Sequence, residues 1–102
     1  MTLEFQTPSG KVSDKLLSLI RNEVLKFSHM NKDISRAEVL LKEENTIKGG
    51  NKVCEIKLAV YEDDLFVHSR SEKFEDSAME TIKELRKMVK QQVKRQRKPL
   101  LK

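Results

Sequence analysis

The sequence predicts an α+β fold, a two-layer βαβββα sandwich in which a four-stranded sheet carries two helices packed on one face. Three observations predict it. Apolar residues recur at helical spacing over residues 14–30 and again over residues 74–93. Before and between those stretches they alternate with a period of two. An antiparallel meander cannot hide its apolar face alone, and the two amphipathic helices are the available cover. At 102 residues the chain is one small domain, expected over residues 1–98, with a short tail over 99–102.

Thr2 to Gln6 alternates polar residues with Leu3 and Phe5, the signal of a short strand, and Thr7-Pro8-Ser9-Gly10 breaks it. Ser13 is suited to cap a helix, with Asp14 at the positive end of its dipole. Leu16, Leu17, Ile20, Val24 and Phe27 then mark one helical face, and the polar run from His29 to Asp33 ends it. From Ser35 the period changes to two, with Ala37, Val39 and Leu41 on one side of a strand. Residues 45–51, containing Gly49-Gly50, form a loop too long for a tight hairpin turn. Cys54, Ile56, Leu58 and Val60 make the clearest strand. After Glu62-Asp63-Asp64 turns the chain, Leu65 and Val67 face the core of the next one. Ser71 or Glu72 opens the final helix, whose stripe Phe74, Ala78, Ile82, Leu85, Val89, Val93 extends about 29 Å at 1.5 Å per residue. Pro99 cannot continue a helix, so the end falls near Lys98. The first strand must pair beside one edge of the meander, and sequence leaves both edges open.

Charge is placed very unevenly. Residues 83–102 hold nine Lys or Arg and one acid, net +8, whereas residues 1–82 hold twelve bases and fifteen acids, net −3. With Leu85 at the centre of the buried stripe, Lys83, Lys87, Lys90, Lys94 and Arg97 fall about 120–200° away, a cationic ridge opposite the core. Solvated faces usually alternate sign for i,i+4 pairing, but Glu84 is the only acid from Lys83 to the end of the chain. A polyanion would relieve its self-repulsion. Nucleic acid is therefore the expected partner, with a membrane surface the weaker rival because the apolar face is needed for the sheet. A calmodulin-target reading would require the helix to leave its own core. Phe66, His68 and Arg70 line the outward face of the last strand, with Tyr61 nearby, and read as ordinary exposed strand residues more than as a base-stacking platform.

Other classes are set aside. Cys54 is the only cysteine, which excludes an internal disulfide and suggests a reduced intracellular setting with the thiol inert in the core. Two histidines and one cysteine without C-x-x-C spacing give no structural zinc site, and Glu62-Asp63-Asp64 lacks calcium-loop spacing. No apolar run nears the roughly 20 residues of a membrane span, and no signal peptide is visible. Ser, His and Asp occur outside any nucleophile motif, and no Gly-rich loop precedes a helix. A cytoplasmic protein without enzymatic activity, cofactor, metal or small-molecule substrate is expected.

The order of elements and several local motifs resemble the ribosome hibernation promoting factor family, also called ribosome-associated inhibitor A or sigma-54 modulation protein. The likeness runs nearly without gaps from residue 12 to residue 93. Val12-Ser13-Asp14-Lys15-Leu16 resembles the family's V-[ST]-[DE]-x-L helix opening, and Lys26-Phe27 stands where a K-L pair usually ends that helix. Ile34 with Ala37-Glu38-Val39-Leu40-Leu41 resembles I-x-x-[AV]-x-V-x-L. Ser71-Glu72-Lys73-Phe74, followed by Ala78, Leu85, Lys87, Val89 and Lys90, resembles D-[MF]-Y-x-A-I-D…K-L-x-R-Q-L-[RK]. Each motif is weak alone; their order and spacing are the specific signal. The chain departs at Glu75 for the usual tyrosine, Met79 for aspartate and Met88 for glutamine. Glu23 and Glu84 stand where lysines are common, and Gln91 and Val93 replace further lysines that Lys94, Arg95 and Arg97 supply a step later.

The resemblance implies a double-stranded-RNA-binding-domain-like fold that docks in the small-subunit cleft over the A and P decoding sites. There, against ribosomal RNA, such proteins keep tRNA and mRNA out by steric occlusion with electrostatic anchoring, without chemistry. Phosphate contacts carry over only to Lys26, Lys87 and Lys90; Lys83, Arg86, Lys94 and Arg97 join them from the ridge. Ending at Lys102, the chain resembles the short class, whose members lack a ribosome-dimerising domain. The alternative is a stand-alone module binding structured RNA away from the ribosome.

Overall fold

The computed structural model describes residues 1–8, 10–45 and 50–97, with the side chains of Gln96 and Arg97 left out of the description. The elements run β1 (Thr2–Gln6), α1 (Asp14–Met30), β2 (Ile34–Glu43), β3 (Lys52–Val60), β4 (Leu65–Ser71) and α2 (Phe74–Arg97). The tail expected over 99–102 and residues 46–49 of the expected loop lie outside the described residues, as does Lys98 at the expected helix end.

The sheet order is β1-β2-β3-β4. β2, β3 and β4 form the expected antiparallel meander, and β1 joins its β2 edge in parallel, Leu3 beside Ala37 and Phe5 beside Val39. Parallel neighbours need a crossover, and α1 supplies it. Arg21 of α1 stands over the Phe5 ring at 5.3 Å and ties helix to strand.

Ala37, Val39, Leu41, Cys54, Ile56, Leu58, Val60, Leu65 and Val67 share one buried cluster with Leu16, Ile20, Val24 and Phe27 of α1. Phe74, Ala78, Ile82, Leu85 and Val89 of α2 complete it. Glu38, Lys57, Phe66 and His68, which alternate with the inward residues, are exposed. Both helices therefore cover one face and leave the other open. Each large side chain in this cluster stabilises the fold by about 1.5–3 kcal/mol relative to exposure. Ile34 and Ala37 are both buried although three residues apart, which simple alternation forbids; a bulge between Ile34 and Arg36 restores the phase. Val53 is buried on the other face, where the register sets it between Lys42 and Arg70.

Helix α1 begins where Ser13 predicted: its Oγ accepts from the Leu16 amide at 3.1 Å. Helix α2 begins two to three residues later than Ser71 or Glu72 suggested. Ser71 still pairs with Lys52 across the β3–β4 ladder, so its backbone is committed to the sheet, and its hydroxyl closes a local turn with Lys73. Gly50, at φ +84°, lies against this junction: a Cβ there would run into the backbone of Ser71 and Glu72. That close approach, added to the positive φ, requires glycine.

Candidate nucleic-acid interface

Helix α2 is held to the body by more than its apolar stripe. Its buried face also carries Ser77, Thr81 and Gln92. Thr81 Oγ1 donates toward the Ser77 carbonyl at 2.8 Å and the Cys54 carbonyl at 3.3 Å, which binds the helix to β3. Near its C-terminal end, Gln92 Oε1 accepts from Asn31 Nδ2 at 3.0 Å, and Gln92 Nε2 donates to the Asp63 carbonyl at 2.9 Å. Asn31 caps α1 through its amide, donating to Phe27 O, and its Oδ1 accepts from the Asp33 amide. One buried polar cluster thus joins the end of α1, the β3–β4 turn and the last turns of α2. Buried amides of this kind fix orientation because any other arrangement leaves them unsatisfied.

With the helix so fixed, Lys83, Lys87, Lys90 and Lys94 all emerge on its solvent face and are exposed. Arg97 is helical in its backbone, but its side chain lies outside the described residues. Among the described residues, ion pairs fall on the sheet, at the α1–α2 seam and between Arg95 and Asp63. None involves Lys83, Lys87, Lys90 or Lys94.

The sheet behaves differently. On its open face Arg36 meets Glu4 at 2.7 Å and Glu38 at 2.8 Å, while Lys42 meets Glu44 at 3.1 Å and Glu55 at 3.3 Å. Arg70 closes on Glu44 at 2.6 Å, and Lys52 and Lys11 share Glu43. These bonds hold the Glu43 carboxyl below its ordinary range, through Lys52 first and then Lys11. Lys42 and then Arg70 do the same for Glu44, and Lys42 is raised in turn by Glu44 and Glu55. Arg36, Lys42, Lys52 and Arg70 are thus internally compensated, whereas Lys57 on the open face holds no ion pair among the described residues. Phe66 is half exposed and stands 5.8 Å from His68, but Arg70 beside them is taken up by Glu44.

The structure separates the remaining sequence candidates from the ridge. Lys26 and Arg86 both bind Glu23: Lys26 Nζ lies 3.2 Å from Glu23 Oε2, and Arg86 Nη2 lies 2.5 Å from Oε1. Arg86 falls about 100° from Leu85 on the helical wheel, the flank turned toward α1, whereas the four free lysines lie farther round. Sequence reasoning missed the Glu23 contact with Arg86 and the Asn31–Gln92 bond. The i,i+3 spacing of Glu23 and Lys26 signals only their own pair, and no local pattern points to either long-range contact.

Among the described residues, no group of three or more His, Cys, Asp and Glu is placed to hold a metal ion, and no helix is long and apolar enough to cross a membrane. The Cys54 thiol is buried, and desolvation pushes it up to about 11. What the arrangement offers is a rigid, uncompensated row of cations on one helix.

No protein-family model and no curated protein matches the sequence. Solved structures share the fold. A ribosomal subunit interface protein from Coxiella burnetii superposes with a TM-score of 0.72 at 12% identity, covering 89% of this chain and 96% of that one. The Protein Y N-terminal domain from Thermus thermophilus gives 0.71 at 13% identity, covering 89% and 98%. At such identities the likeness is one of fold.

Proposed function

We propose that this protein, with the fold of a ribosomal subunit interface protein, is a ribosome hibernation factor. In this reading it binds the small subunit at the A/P decoding cleft and inhibits translation by keeping tRNA and mRNA out during stress or stationary phase. The observation that carries the reading is the contrast within one small domain. Arg36, Lys42, Lys52 and Arg70 on the sheet are neutralised by carboxylates, whereas Lys83, Lys87, Lys90 and Lys94 on α2 are left to solvent. A row of that kind matches the spaced negative charges of an RNA backbone, which supplies affinity without base-specific contacts. The motif resemblance from residue 12 to residue 93 and the fold shared with a ribosomal subunit interface protein support ribosomal RNA as the polyanion.

The mechanism needs no chemistry. The buried core and the Asn31–Gln92–Asp63 cluster keep α2 oriented, the lysines anchor it on phosphates, and the body of the domain fills the space a tRNA or mRNA would take. Action on ribosomes makes the cytoplasm the proposed location. Neither membrane nor cofactor enters the mechanism.

Sucrose-gradient sedimentation of stationary-phase lysate tests the proposal. The protein should travel with 30S and 70S particles at low salt. Absence from both fractions would sink the ribosomal reading, and capture of isolated RNA duplexes in their place would favour a stand-alone RNA-binding module.

A further inference from the structure

Glu23 pairs with one cation from each helix at the α1–α2 seam. It sits on α1, half-buried, at the edge of a groove of about 600 Å³ whose lining includes Asp76, Glu80, Lys83 and Arg86. Its two carboxylate oxygens are divided between two cations from different helices, Oε1 on Arg86 and Oε2 on Lys26. The side chain of Glu23 is 17% exposed, against 66% for Lys26 and 40% for Arg86, so the acid is the inner member of both pairs. A carboxylate carrying two cationic donors presents the same chemistry to them as a phosphate oxygen pair.

We propose that Glu23 is an affinity-determining residue: an intramolecular competitor for RNA phosphate that withholds Lys26 and Arg86 from the interface. The inference rests on the RNA-binding reading of the α2 ridge and adds to it how many phosphates the surface engages. A phosphate approaching Lys26 or Arg86 must face the Glu23 charge a hydrogen-bond length away. The carboxylate is also tethered, so the incoming phosphate competes against a very high local concentration. The free protein therefore presents the ridge alone, and the two flanking cations remain satisfied within the molecule. Removing the Glu23 charge while keeping its shape exposes them both.

The test is the salt dependence of binding to purified 30S subunits for wild type, Glu23→Gln, Glu84→Gln and the double variant Glu23→Gln/Arg86→Ala. Retention on a heparin column is measured for each as a ribosome-independent polyanion readout. Glu23→Gln should steepen the slope of log K against log salt by about 1.4, two further phosphates at roughly 0.7 each, and should elute later from heparin. Glu84→Gln removes an equal charge beside the ridge, but Glu84 holds no cation among the described residues, so its slope should match wild type. The double variant should give back about half of the gain. An unchanged slope in Glu23→Gln, or an equal rise in Glu84→Gln, would overturn the inference. If wild type fails to bind 30S subunits, the ribosomal reading falls, and the order of elution from heparin alone decides the role of Glu23.

Discussion

Asn31 Nδ2 donates to Gln92 Oε1 at 3.0 Å across 61 residues of sequence, inside the buried end of the domain. The bond links the cap of one helix to the last turns of the other, and Gln92 passes the connection on to the Asp63 carbonyl. The lysines proposed to meet RNA, Lys90 and Lys94, flank Gln92 on the same turns of α2. A structural amide and the cations proposed to bind RNA therefore share one helical segment.

Replacing Gln92 by Leu should lower stability by about 1–3 kcal/mol, because Asn31 Nδ2 loses its acceptor and the Asp63 carbonyl its side-chain donor. Urea unfolding monitored by circular dichroism measures it. The double variant Asn31→Leu/Gln92→Leu should cost less than the two single changes added together, since removing both partners leaves fewer polar groups stranded. Strict additivity would show that the pair is not coupled.

The ridge should announce itself through salt. Five cations, Lys83, Lys87, Lys90, Lys94 and Arg97, each neutralising one RNA phosphate, give a slope of about −3.5 in log salt, roughly a hundredfold loss of affinity from 50 to 200 mM. Lys87→Glu with Lys90→Glu should abolish ribosome association and leave the circular dichroism spectrum and melting curve unchanged, because both residues are exposed. A slope near zero, or retained binding in the double variant, would move the contact surface elsewhere.

Gly50→Ala should destabilise the domain by more than ~3 kcal/mol. The new Cβ meets backbone of Ser71 and Glu72, which cannot swing aside as a side-chain tip could, and the residue already holds φ +84°. Thermal unfolding of the variant provides the measurement. A Tm within a degree or two of wild type would mean that the β4–α2 junction yields more readily than its packing suggests.

Cys54 sets a sign for the alkaline limb of stability. Burial raises its thiol from an ordinary 9.0 to about 11, so the folded chain keeps a proton that the unfolded chain releases. The contribution is fully present below about pH 9 and is lost as pH rises through about 11, up to ~3 kcal/mol in all. Denaturant titrations at a series of alkaline pH values should show this fall in wild type and a shallower one in Cys54→Ala, whose cavity adds only a constant offset. Equal slopes in the two proteins would remove Cys54 as the cause.

Much of the fold was legible because the signals are local. The 3.6-residue period from Leu16 to Phe27, the two-residue period from Cys54 to Val60 and the capping role of Ser13 each depend on a few neighbouring side chains, and all three appear in the structure. The opening of α2 was misplaced for a non-local reason. Ser71 is a good capping residue, but its pairing with Lys52 keeps it in the sheet. Helical phase likewise placed Lys83, Lys87, Lys90 and Lys94 together on one exposed face. It did not separate Arg86 from them, since what removes Arg86 is a carboxylate 63 residues earlier in the chain.

The sequence by itself determined the order of elements, which face of each is apolar, and the uneven charge that makes the end of α2 a cationic row. Periodicity and composition are properties of neighbouring residues, so those features need no knowledge of the rest of the chain. Only the tertiary structure decided that β1 runs parallel beside β2, that Gly50 packs against the Ser71–Glu72 backbone, that Asn31 meets Gln92, and that Glu23 takes up Lys26 and Arg86. Each of those rests on residues brought together by closing one core between a sheet and two helices. A long-range contact of that kind leaves no periodic trace in the chain. The cations at the end of α2 were visible as a charge count; which of them pair with a carboxylate depends on the partners that folding brings to them.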